Sequence, residues 1–214
     1  MTKRQNRTSQ LRPLIIFLLI FFLVDSLRIY LDHLKILSID RLFTWVLPTL
    51  LFVRFYLKED PLDFLKLRGH VLRGIMAGLL IGAVQGIVHV SYYYVSKGHL
   101  DTNLDLGANN WWAVILTVGL VEEIVFRGLV LQSLASVYTF RTASLLSSVL
   151  FTLAHIPYWI EGGQFARPIG FVVYDFCFVF VVGLLECFFV KKTNSLWTSI
   201  IHHSINNFLA SVIH

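Results

Sequence analysis

Residues 111–137 read WWAVILTVGLVEEIVFRGLVLQSLASV. At about 1.5 Å of rise per residue this apolar run is long enough, as a helix, to cross a hydrocarbon layer of about 30 Å. In its middle stand Glu122, Glu123 and Arg127. Ionisable groups are costly at that depth and mark functional sites when they occur there. The run therefore predicts both a membrane helix and a site on it.

The rest of the chain agrees with a membrane protein. Of 214 residues 56% are hydrophobic and only 14% are charged, less charge than a soluble domain of this size carries. Bilayer-length segments fall at residues 13–31, 41–57, 70–96, 111–137, 141–158, 168–190 and 195–213, so the expected fold is an all-α polytopic bundle of about seven transmembrane helices. Residues 58–69 place Leu62, Phe64 and Leu65 among charges, a pattern that suits an interfacial amphipathic helix or, equally, a solvated connector. The remaining links are short and turn-like, so residues 1–214 read as a single integral membrane domain, with the motif-bearing core at 111–211.

Lys and Arg collect in loops on the cytoplasmic side. With the N-terminus inside, twelve of the 18 basic residues lie at inner helix ends, Arg28, Lys35, Arg41, Lys97 and Arg167 at outer ends, and Arg127 within a span. Seven crossings would put His214 outside. Topology thus explains the net charge of +5, and no nucleic-acid partner is needed. The basic and apolar stretch from Lys3 to Val24 lacks a small-residue cleavage site and is expected to remain as an anchor helix. Cys177 and Cys187 sit ten residues apart on one helix, about 15 Å of rise, too far to bond to each other.

Helical spacing sorts the polar groups. Glu123 and Arg127 are four apart with the acid first, the favourable order for an ion pair on one face. Glu122 points about 100° away, free to face a cavity, and is the candidate general base. The competing view is one buried ion-pair network that only holds helices together. His155 and the cluster His202, His203, Asn206 and Asn207 lie on two further spans, at depths that overlap that of Glu122 when helix rise is counted from the cytoplasmic ends. Periodicity does not choose between the pair His203 and Asn207 and the pair His202 and Asn206. Asp25, His89, Asp175 and Glu186 stand alone in their segments and read as packing partners. There is no His-Glu-x-x-His helix and no Gly-x-Ser-x-Gly turn, and Tyr174-Asp175 has no Gly-x-Gly-Asp companion. Water activated by carboxylate and imidazole is the most economical chemistry.

Glu122-Glu-x-x-x-Arg127, Phe151-x-x-x-His155 and His203-x-x-x-Asn207, in that order, resemble the three motifs of the CPBP family of intramembrane proteases, also called Abi, which includes the type II CAAX prenyl endopeptidases and bacterial proteins linked to bacteriocin processing and self-immunity. Gly128 after the arginine and Ser195-Leu-Trp197 ahead of Ile200-x-x-His203 strengthen the likeness, and they select His203 and Asn207 over their neighbours. The resemblance implies an endopeptidase in a bacterial cell membrane acting on a membrane-associated or secreted peptide. Glu122 and His155 would activate water, His203 and Asn207 would stabilise the oxyanion, and Glu123 with Arg127 would hold the frame. It also raises a metallopeptidase alternative, with Glu122, His155 and His203 as ligands of a divalent ion such as zinc, against which Asn207 argues as a poor zinc ligand. Outside the protease class, the same buried groups suit a proton-coupled carrier or a non-catalytic immunity or adaptor protein.

Overall fold

The structure, a computed structural model, describes residues 11–36 and 40–213. The basic residues Lys3, Arg4 and Arg7 and the terminal His214, all used above to orient the chain, lie outside the described residues. Seven long helical segments follow one another, close to the seven expected. They are α1 Leu11–His33, α2 Leu42–Leu57, α4 Val71–Lys97, α5 over residues 107–135, α6 Phe140–Glu161, α7 Ile169–Thr193 and α8 Trp197–Val212. Helices α1, α4, α6 and α7 are long and apolar enough to span a membrane by length and composition, and α2 is a shorter apolar helix. Among the described residues the extended structure is an isolated bridge between Thr102 and Ile213.

The expected interfacial helix at 58–69 is much shorter. Only Pro61–Phe64, α3, is helical, capped by Asp60, whose carboxylate accepts from the Leu62 and Asp63 N–H groups at 2.9 and 3.2 Å. Proline at the first helical position and an aspartate cap start a helix, but the chain then turns inward. Leu65 is fully buried, the Lys66 carbonyl accepts from Leu196 N–H at 3.0 Å, and the Leu67 carbonyl accepts from Trp197 Nε1 at 2.8 Å. Tertiary anchoring to the start of α8 overrides the amphipathic pattern.

Helix α5 occupies the centre. From Val121 to Leu131 every residue is buried, as expected of a helix surrounded on all sides. Around it, α1 contributes one stripe, Leu14, Leu18, Phe21, Asp25 and Arg28, at the three-and-four spacing of a single helix face. Helix α2 contributes Trp45, Thr49 and Val53. The other faces of α1, α4 and α7 are lined by exposed Leu, Ile, Val and Phe, the surface a lipid environment covers.

Two close approaches need residues without side chains. On α4, Gly74, Gly78 and Gly82 recur every four residues against α8, and a Cβ on Gly78 would lie 2.8 Å from Ile201 Cβ and 2.8 Å from the Thr198 carbonyl oxygen. This small-residue stripe lets two backbones pack tightly in the absence of a hydrophobic drive between helices. On α5, a Cβ on Gly128 would lie 2.9 Å from Leu65 Cδ2, so the glycine after Arg127 accepts the wedge from the α3 turn.

Helix α5 is also locally underwound and widened. Residues 110–118 and 124–130 carry hydrogen bonds five residues apart, as from Leu131 N–H to the Phe126 carbonyl. Such wide turns concentrate at functional sites, and here they flank Glu122 and Glu123.

Candidate active site

Five of the six predicted side chains meet around the middle of α5. Glu123 and Arg127 are both fully buried, with Arg127 NH1 2.9 Å from Glu123 Oε1. The same carboxylate oxygen lies 2.9 Å from His203 Nδ1 on α8. Glu123 therefore does more than pair with the arginine, because it also sets the orientation of an imidazole from another helix. The Arg127 guanidinium lies 4.0 Å from the centroid of the Phe151 ring. That ring is edge-on to His155 and His203, at 4.8 and 6.2 Å between centroids.

His155 sits at the break in α6, where the helix tightens before Pro157. Its Nδ1 lies 2.9 Å from the Phe151 carbonyl oxygen. A carbonyl only accepts, so Nδ1 carries the proton, and the neutral ring presents a bare Nε2. That Nε2 is 3.9 Å from Glu122 Oε2, and His203 Nε2 is also 3.9 Å from it. Glu122 is buried, and among the described residues its Oε2 has no hydrogen-bond partner. One carboxylate oxygen and two imidazole nitrogens thus face a common point, and the carboxylate oxygen calls for a proton donor there.

The spacing decides what fits there. Hydrogen bonds of about 2.8 Å from one water to two acceptors separated by 3.9 Å subtend roughly 90° at the oxygen, an angle a bound water tolerates. A tetrahedral zinc with bonds of about 2.0–2.1 Å holds its ligand atoms only about 3.4 Å apart. Among the described residues no group of three or more His, Cys, Asp or Glu is arranged to hold a metal ion. Glu122, His155 and His203 as they stand do not form the zinc site allowed for above.

Asn207, the sixth residue, lies one turn beyond His203. Its Nδ2 donates to the Val114 carbonyl on α5 at 3.1 Å, so one amide N–H is engaged and the other is available. The neighbouring pair faces elsewhere. His202 Nδ1 is 2.5 Å from Glu186 Oε1 on α7, and Asn206 accepts from Gln85 of α4 at 2.6 Å. The register ambiguity on α8 resolves with His203 inward, and Glu186 is not solitary. Asp175 is likewise paired, with Arg167 at 2.8 Å.

The residues missed at the level of sequence come from the first two helices. Asp25 accepts from Arg28 Nε at 2.9 Å and from Trp45 Nε1 at 2.7 Å. Arg28 also bonds the Tyr158 hydroxyl. Arg41, at the start of α2, lies over the Tyr158 ring at 4.5 Å and reaches Glu122 Oε1 at 3.4 Å. The charge count assigns Arg28 and Arg41 to outer helix ends, a placement their burial does not test. They are buried and half-buried, and they neutralise Asp25 and Glu122. A lone aspartate inside an apolar run was the one available signal.

The comparisons with curated proteins and with solved structures return no match. A family model described as type II CAAX prenyl endopeptidase Rce1-like matches residues 105–209. That stretch holds Glu122, Glu123, Arg127, His155, His203 and Asn207. Over residues 105–209, just under half of its length, the chain is similar to the Rce1-like family of CAAX-type intramembrane proteases.

Proposed function

We propose that this protein is an intramembrane endopeptidase that hydrolyses a peptide bond of a membrane-associated or secreted peptide with water activated by Glu122 and His155. The observation that carries this reading is the unpartnered Glu122 Oε2, 3.9 Å from each of two imidazole Nε2 atoms. A water there donates one hydrogen bond to Glu122 and the other to His155. As its oxygen attacks the scissile carbonyl, Glu122 takes the proton, and the carbonyl oxygen becomes an oxyanion. His203, protonated on Nε2 and offset in charge by Glu123, donates to that oxyanion together with the free Asn207 N–H. The proton on Glu122 then passes to the departing nitrogen as the C–N bond breaks, and the carboxylate is regenerated.

The proposed placement has the N-terminus on the cytoplasmic side. In the test, the full chain in liposomes is given a fluorogenic farnesylated CAAX peptide and a panel of membrane-anchored peptides, with products mapped by mass spectrometry. Cleavage is expected for the native protein, with loss of at least about 10³-fold in Glu122→Gln and no change in its thermal unfolding. Cleavage retained in Glu122→Gln would remove the mechanism, and proton flux without cleavage would favour a carrier.

A further inference from the structure

The family match begins at residue 105, yet Glu122 has a contact from outside it. Arg41 NH1 is 3.4 Å from Glu122 Oε1, while Oε2 is the oxygen turned to His155 and His203. The guanidinium is held in turn. Its carbon lies 4.5 Å from the centroid of the Tyr158 ring and 5.8 Å from that of Trp45, within the range of cation–π attraction. Both aromatic groups are fixed by one acid, since Trp45 Nε1 donates to Asp25 at 2.7 Å and Arg28 links Asp25 to the Tyr158 hydroxyl. Asp25 and Arg28 come from α1, Trp45 and Arg41 from α2 and its start, and Tyr158 from α6.

We propose that Arg41 is a positioning residue: it holds one oxygen of the Glu122 carboxylate so that the other faces the reacting water, and the Asp25 network on α1 and α2 holds Arg41. The N-terminal helices thereby complete an active site whose reacting groups all lie in the family segment. A carboxylate turns freely about its last torsion, which has two broad wells. A guanidinium on Oε1 removes that freedom and presents Oε2 at a fixed angle. The groups that face Glu122 are Arg41, His155 and His203, with Arg127 and Glu123 behind it on α5. Arg127 already serves Glu123, which leaves Arg41 to serve Glu122. The proposal rests on the reading of Glu122 as the base.

The test compares native protein, Arg41→Ala and Arg41→Lys in the liposome assay with the peptide that the native protein cleaves. Misplacement of a reacting group costs about 10²-fold in rate, so Arg41→Ala is expected to lower kcat by about that factor with KM unchanged. Arg41→Lys should retain more of the rate, and added guanidinium ion should restore part of it to Arg41→Ala. A scaffold role alone would respond to neither. Unchanged kcat in Arg41→Ala, or a fall with no recovery in either rescue, overturns the proposal. A second readout needs no turnover: the infrared carboxylate band that Glu122→Gln removes should move in Arg41→Ala, and a band that stays in place also overturns it. Should the native protein cleave no peptide while that band moves, the hydrolase reading fails alone and the Arg41 contact stands.

Discussion

Single side chains in this site divide the work between two adjacent acids. Glu123 accepts from Arg127 and His203 through the same oxygen, whereas Glu122 turns its Oε2 toward two imidazole Nε2 atoms. The consequence for stability differs between them. Arg127→Met would leave the buried Glu123 with His203 as its remaining cationic partner, and loss of one partner of a buried ion pair costs about 3–5 kcal/mol. Thermal unfolding in detergent should show a large drop for Arg127→Met and for Glu123→Gln. The double variant should lose less than the sum, since neither charge is then left alone. Equal, additive losses would mean that the pair is not coupled. The Glu123 and Arg127 pairing is legible in the sequence because both lie on one helix four residues apart. Which of His202 and His203 faces inward is not, since they are adjacent and of one type. The opposing acids, Glu186 on α7 and Glu123 on α5, settle it.

At the scale of elements, the depth and angle of His203 depend on how α8 lies against α4. That packing is close because Gly78 offers no Cβ to Ile201 and Thr198. Gly78→Leu is expected to destabilise the protein by about 1–3 kcal/mol, the cost of overpacking a filled interface. It should also lower turnover, since α8 carries the imidazole. Gly86→Ala is the control: its Cβ would meet Leu209 at 3.7 Å, ordinary contact, and the change should stay within about 0.5 kcal/mol. Denaturation midpoints of the two variants decide the matter, and similar losses would contradict the interface described. Helix positions were readable from apolar runs, to within a few residues for the seven long segments. The collapse of the predicted interfacial helix to Pro61–Phe64 was not readable, because it follows from Leu65 seeking the space above Gly128.

For the whole molecule, the proposed orientation has a direct test. The count of basic residues predicts an inner N-terminus. In a background lacking Cys177 and Cys187, Lys97→Cys should react with a membrane-impermeant maleimide in intact cells, and Lys58→Cys should react only after lysis. The reverse pattern would invert the topology and place the site nearer the opposite face.

Sequence alone determined that the chain is a membrane bundle, where its helices run, and which residues carry the motifs, because bilayer thickness fixes helix length and charge is expelled from lipid unless it has a use. Tertiary packing decided which oxygen of Glu122 stays open, that Glu123 orients His203, and that Arg41, 81 positions from Glu122 along the chain, reaches the site. Contacts between helices far apart in sequence depend on interlocking shapes and on partners for buried charge. No periodicity along a single chain encodes those.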